Sequence, residues 1–165
     1  MIERTEAQKS EMRVAVAKDV IAQMTAKAYQ PGSGYVFMEF KEPLPQGATD
    51  LREVLGLPTA RCEVCARGAL LLSKARLYNA VPLKTIRSSQ HVCCGQWFTE
   101  SALADVFSAE TLMLVEAAYE QCYHFAANLK ERYAASQFGS QYRDDTERMV
   151  AIMENIIANG GEFKP

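Results

Sequence analysis

The chain has 165 residues, 48% of them hydrophobic and 23% charged, with a net charge of −2 at neutral pH. Those proportions suit a soluble globular domain and exclude a disordered chain, and no apolar run approaches the roughly 20 residues that a membrane-spanning helix needs. A single domain over residues 1–165 is expected, long enough to bury a core without staples.

In chain order, residues 9–29 form the first expected helix. Val14, Ala17, Ile21, Met24 and Ala28 recur at spacings of three and four and so share a face, and Pro31-Gly32-Ser33-Gly34 stops it. Tyr35-Val36-Phe37-Met38-Glu39-Phe40 is short, aromatic and bounded by breakers, the best strand candidate, either alone or as half of a small hairpin. Residues 43–50 are a loop, and Asp50 caps a single helical turn over Leu51–Leu55. A second long helix is expected from Cys62 to Tyr78, with Ala66, Gly68 and Ala69 leaving room for another helix to approach. Residues 80–97 are an irregular loop, followed by a short helix from Thr99 or Glu100 to Phe107. Ser108 caps a longer helix with a buried stripe of Leu112, Val115, Tyr119 and Cys122. Residues 126–143 are partly helical and broken by Phe138-Gly139-Ser140. The last helix starts at Asp144 or Asp145, buries Met149, Ile152, Met153 and Ile156, and ends at Gly160-Gly161. The expected fold is therefore mostly α, a single domain of about five helices with at most one short strand or hairpin near 35–40.

The five cysteines and two histidines are clustered as Cys62, Cys65, His91, Cys93, Cys94, Cys122 and His124. Thiolate and imidazole bind Zn²⁺ well, and Cys-x-x-Cys is a common half of a zinc site. Cys62, Cys65, His91 and Cys93 are the candidate ligands, and zinc the one candidate cofactor. Against it, the pair enters a helix rather than a Gly-rich turn, and Cys93 and Cys94 are adjacent. A redox pair would need βαβ context before the motif, and a Cys–His hydrolase would need an oxyanion element; neither is visible. The plainer alternative makes Cys65 and Cys122 core residues on helix faces. The acidic start, Met1-Ile2-Glu3-Arg4-Thr5-Glu6, has no apolar signal core, so a cytoplasmic, reducing compartment is expected. No Walker loop, Gly-x-Gly-x-x-Gly or calcium loop is present, and no acid–base pair or activated nucleophile marks an enzyme.

Charge is unevenly spread. Residues 61–87 hold six bases (Arg61, Arg67, Lys74, Arg76, Lys84 and Arg87) against Glu63, whereas from Gln96 onward eleven acids oppose five bases. Arg67, Lys74, Arg76, Lys84 and Arg87 are thus candidate phosphate or nucleic-acid contacts. The alternative is that this segment packs beside the acidic one, and the low overall basicity favours that alternative.

Cys62-Glu63-Val64-Cys65-Ala66-Arg67-Gly68-Ala69-Leu70 resembles a Cys-x-Val-Cys-Ala-x-Gly-Ala-Leu motif. Ile152-Met153-Glu154-Asn155-Ile156-Ile157-Ala158-Asn159-Gly160-Gly161-Glu162-Phe163-Lys164-Pro165 is similar to that motif's usual C-terminal partner. Phe107–Leu112 and Met12–Ile21 fit as well. Together these blocks resemble a family of small bacteriophage and prophage proteins. The resemblance implies a phage origin and a helical fold, and carries no activity with it. Small phage accessory proteins without catalytic motifs act mostly by binding and blocking a host or defence-system protein, such as part of a CRISPR-type immune complex, in the bacterial cytoplasm. The resemblance therefore implies a non-enzymatic inhibitor. Its partner contacts are expected in loops and exposed aromatics, with Tyr35, Phe37, Trp97 and Phe98 as candidates. A nucleic-acid or nucleotide binder using residues 61–87 and a zinc-organised structural domain are the alternatives.

Overall fold

The computed structural model describes residues 4–78, 81, 86–87, 91–121 and 129–165. Among these the chain runs α1 (Glu6–Thr25), β1 (Gln30–Pro31), β2 (Val36–Phe40), α2 (Leu51–Val54), β3 (Thr59–Val64), α3 (Ala66–Leu77), β4 (Ile86–Arg87) and β5 (His91–Cys94). It continues through α4 (Gln96–Leu103), α5 (Ala109–Glu120), α6 (Leu129–Ser140) and α7 (Asp145–Ala158).

This is an α/β fold, which corrects the expectation of a mostly helical domain with about five helices and one strand or hairpin. Five strands form one mixed sheet in the order β1-β3-β2-β5-β4. β2 lies at its centre, antiparallel to β3 and to β5, while β1 runs parallel to β3. Two segments account for the difference. Thr59-Ala60-Arg61-Cys62-Glu63-Val64 alternates polar and apolar, the period of a half-buried strand, and Cys62 and Val64 face the core. It runs straight into an apolar helical stretch, so the helix expected from Cys62 is a strand, a one-residue junction at Cys65 and a helix from Ala66. In the expected loop 80–97, Val92 and Cys94 are buried and Cys93 is half-buried, again an alternation, and α4 already begins at Gln96.

Val36, Met38 and Phe40 from β2, Cys62 and Val64 from β3, and Val92 and Cys94 from β5 make the buried face of the sheet. They share one continuous core with α1, α3, α5 and α7. α3 is buried from Ala66 to Ala75, including Arg67, Ser73 and Lys74. A helix enclosed on all sides lacks a one-sided polar pattern, so periodicity does not mark where it begins. Gly68 is the point of closest approach. A Cβ there would lie 1.6 Å from the Tyr35 carbonyl oxygen, so glycine lets α3 press against the entry to β2. Gly68 thus admits the turn before β2, while α3 also packs against α1, α4 and α5. Tyr35 itself takes a left-handed conformation (φ 65°), and its carbonyl accepts from Cys65 N at 3.0 Å.

α1 is longer at its N-terminus than expected, because Thr5 and Gln8 form a reciprocal capping box, and it ends at Thr25, four residues early. Its buried face is Met12, Arg13, Val16, Ala17, Val20 and Met24, with Val14 and Ile21 at the edges. α2 follows its Asp50 cap, α5 its Ser108 cap and α7 its Asp144 cap, as expected. α6 is unbroken at Phe138-Gly139-Ser140. There Gly139 brings the helix against the Ala118 carbonyl of α5, 1.8 Å from where a Cβ would stand. At the C-terminus Phe163 is buried, Glu162 binds Arg13 at 2.9 Å and Thr111 Oγ1 at 3.1 Å, and Lys164 N donates to Asn155 Oδ1. The C-terminal block is therefore a clasp across α1, α5 and α7.

Candidate functional site

A cleft of about 550 Å³ lies between α4 and α5. Gln96 and Glu100 from α4 and Ala104 from its C-cap line it one turn apart, and Ala109, Leu112, Met113 and Glu116 line it from α5, at helical spacings of three, one and three. Phe107, from the connection between the helices, closes the apolar end, while Arg67 from the first turn of α3 stands behind the polar end. Ser101 and Arg132 complete the lining. Two alanines, Ala104 and Ala109, keep the apolar end open.

The polar end is rigid. Arg67, buried on the first turn of α3, donates from Nε to the Leu112 carbonyl at 2.9 Å, from Nη2 to Glu116 Oε2 at 2.5 Å and from Nη1 to Glu100 Oε1. Glu116 Oε1 accepts from the Tyr35 hydroxyl at 2.8 Å, and Glu100 Oε1 also accepts from Gln96 Nε2 at 3.0 Å. Burial, and then the hydrogen bond to the Glu116 carboxylate, push the Tyr35 phenol well above its usual range, so it stays a donor at any physiological pH. One buried guanidinium thus fixes two carboxylates drawn from two helices, and a tyrosine from the sheet entry holds the second. Such a constellation is preorganised for binding.

The candidate residues named from sequence fall in several places. Tyr35 is half-buried and belongs to this network through Glu116. Phe37 is half-buried on the outer face of the sheet, with the Arg61 guanidinium 5.4 Å from its ring centre. Trp97 and Phe98 lie within the first turn of α4, beside the cleft-lining Gln96, not before a Thr99 cap; their side chains lie outside the described set. Among the basic residues, Arg67 and Lys74 are buried and turned inward. Lys74 Nζ reaches Asp105 at 2.5 Å and the Ala102 carbonyl. Arg76 pairs with Asp19 at 3.5 Å and stands over the Tyr29 ring. The basic and acidic segments therefore meet inside the fold at Arg67–Glu100, Arg67–Glu116 and Lys74–Asp105, and Arg67, Lys74 and Arg76 do not form an outward stripe. Lys84 lies outside the described residues, and Arg87 is described only as a backbone position in β4.

Two of the four proposed zinc ligands, Cys62 and Cys93, do not converge. Cys62 stands opposite Met38, which is opposite Val92, on the buried face. Cys93 stands opposite Phe37, which is opposite Glu63, on the other face, and His91 occupies the position opposite Glu39. The sheet therefore separates Cys62 from Cys93, and no group of three or more metal-binding side chains occurs among the described residues. Cys65 is the N-cap residue of α3, and burial pushes its thiol up despite backbone hydrogen bonds from Gly68 and Arg67. Burial likewise pushes the Cys62 and Cys94 thiols up to about 12, which leaves them protonated and inert. Cys122 and His124 lie outside the described residues.

Sequence reasoning did not assemble Glu100, Ala104, Ala109, Met113 and Glu116 into a site. The available signal was the α5 stripe Ala109, Leu112, Met113 and Glu116, an apolar helical row ending in a carboxylate. It adjoins the buried stripe of Leu112, Val115 and Tyr119 and was hidden by it.

No protein-family model, curated protein or solved structure matches the chain.

Proposed function

We propose that the protein is a non-enzymatic binding protein that engages a partner protein through the α4–α5 cleft and occludes the surface it holds. The cleft carries the proposal: an apolar trough about 550 Å³ in volume with a polar end locked by Arg67, Glu100, Glu116 and Tyr35. Concave apolar sites with a few fixed polar groups are the usual form of a recognition pocket, and this one accommodates a side chain or short segment. The carboxylates are bound to a buried arginine, an arrangement that favours ground-state recognition over proton transfer. Trp97 and Phe98, placed by the backbone in the helical turn beside Gln96, would extend the contact. The phage-protein resemblance supplies the expected partner class, a host or defence-system protein, and the expected outcome, inhibition by occlusion.

The test is capture from bacterial lysate with the intact chain and a Met113→Arg variant, the retained proteins being identified by mass spectrometry. Met113 is half-buried on the cleft wall, so an arginine there fills the trough while the fold persists. The proposal expects one protein retained by the wild type in stoichiometric amount and lost by the folded variant. Equal retention by both would place the contact elsewhere.

A further inference from the structure

The two ends of the cleft differ, and the difference specifies an occupant. Ala104, Phe107, Ala109, Leu112 and Met113 form an apolar half, and Gln96, Glu100 and Glu116 a polar half. At the polar end the Glu100 and Glu116 carboxylates face outward and Arg67 does not. The Glu100 and Glu116 side chains are 36% and 31% exposed, whereas that of Arg67 is 5% exposed behind them. Glu116 uses Oε1 for Tyr35 and Oε2 for Arg67, and Glu100 uses Oε1 for both Arg67 and Gln96. Among the described residues no donor reaches Glu100 Oε2. Arg132 lines the cleft too, half-buried and with interactions of its own. An incoming group therefore meets the Glu100 and Glu116 acceptors at one end, with Arg132 also in the lining, and apolar walls at the other.

We infer that the cleft receives an arginine side chain of the partner protein, its apolar stem between Ala104 and Met113 and its guanidinium on Glu100 and Glu116. This rests on the proposed binding function and names the chemistry of its central contact. A planar guanidinium suits the site better than an ammonium. Its donors are arranged as a fork, it is weakly hydrated, and two carboxylates held by one buried arginine present acceptors in a fixed geometry. An acidic partner residue would meet two carboxylates and is disfavoured.

The experiment is a titration of the isotope-labelled intact chain with benzamidinium, an apolar ring bearing a planar cation, followed by amide chemical shifts. Benzoate and neutral benzamide serve as controls. The inference expects benzamidinium to move resonances of 96–104 and 109–116, with benzamide binding more weakly and benzoate not at all. Glu100→Gln, checked for a cooperative melt, is expected to weaken benzamidinium binding about tenfold or more, through loss of a charge-assisted hydrogen bond. If that variant fails to fold, Ala104→Leu narrows the apolar end with both carboxylates in place, and is expected to abolish binding. Benzoate or benzamide binding as tightly as benzamidinium, or undiminished binding by the folded Glu100→Gln or Ala104→Leu chain, overturns the inference. If Met113→Arg abolishes partner capture but benzamidinium does not bind, the binding function stands and the arginine occupant falls. If benzamidinium binds as expected but capture survives Met113→Arg, the cleft takes such cations and the proposed function falls.

Discussion

Replacing Gly68 by alanine is expected to destabilise the protein strongly, although the position lies inside a helix. In an unencumbered helix that change gains about 1 kcal/mol in propensity. Here the new Cβ would stand 1.6 Å from the Tyr35 carbonyl oxygen and 2.5 Å from its carbon, and real Cβ atoms do not come closer than 3.0 Å. The atoms in the way are backbone, so no side chain can swing aside, and α3 and the entry to β2 must part by well over 1 Å. That separation loosens three linked contacts: the Cys65 N–Tyr35 O hydrogen bond, the Tyr35 hydroxyl on Glu116, and the neighbouring Arg67 that holds both carboxylates. Overpacking alone costs about 1–3 kcal/mol, and a perturbed buried hydrogen bond about 1 more, so a net loss of about 1–3 kcal/mol is expected after the propensity gain. Urea unfolding followed by circular dichroism measures it as a fall in midpoint at unchanged slope. A Gly68→Ala chain as stable as the wild type, or more so, would refute the close approach and with it the placement of Arg67.

Other consequences are open to direct measurement. Arg148 donates to the Gly139, Tyr142 and Tyr119 carbonyls and pairs with the exposed Asp145 at 2.6 Å; Arg148→Ala leaves those carbonyls without their donor and should cost about 1–3 kcal/mol, against at most about 1 kcal/mol for the exposed Arg61→Ala, by urea denaturation. Glu6 is held below 4.5 by the hydrogen bond and charge of Arg13, so its contribution is complete above about pH 4.5 and is lost as pH falls through its lower folded value. Glu120 runs the other way: burial first, then Glu116 and Asp145, raise it above 4.5, so its ionised form opposes folding at neutral pH. Glu120 is solvent-exposed, so screening leaves the effect small. Glu120→Gln should accordingly raise Tm slightly at pH 7, a gain that vanishes at acidic pH, where Glu120 is protonated in both folded and unfolded chains, as read by thermal scans. In a Cys122→Ser background, native-state alkylation at pH 8 should modify half-buried Cys93 first and leave Cys62 and Cys94 untouched until unfolding, as read by peptide mass mapping.

The helix caps at Asp50, Ser108 and Asp144, and the inward row Met149, Ile152, Met153 and Ile156, follow from short-range chemistry, and sequence pattern suffices to place them. The sheet is a matter of pairing. β3 and β5 are short, carry charged or sulfur side chains, and find their partner in β2 at sequence distances that local periodicity does not register. The alternation of Ala60, Cys62 and Val64 against Thr59, Arg61 and Glu63 was present, but the Cys-x-x-Cys spacing drew both cysteines into one element, while the chain turns a corner between them. The cleft was less legible still. Arg67 lies 33 residues from Glu100 and 49 from Glu116, and only the packing of α3 against α4 and α5 converts a basic segment and an acidic one into an internal clamp.

Hydrogen exchange on the chain bound to a partner it captures tests the α4–α5 cleft as the recognition surface most directly. The account predicts that partner binding slows exchange chiefly across 96–104 and 109–116, with little change on β2 and β3. Protection centred instead on Phe37, Arg61 and Glu63, with α4 and α5 exchanging as in the free protein, would contradict it.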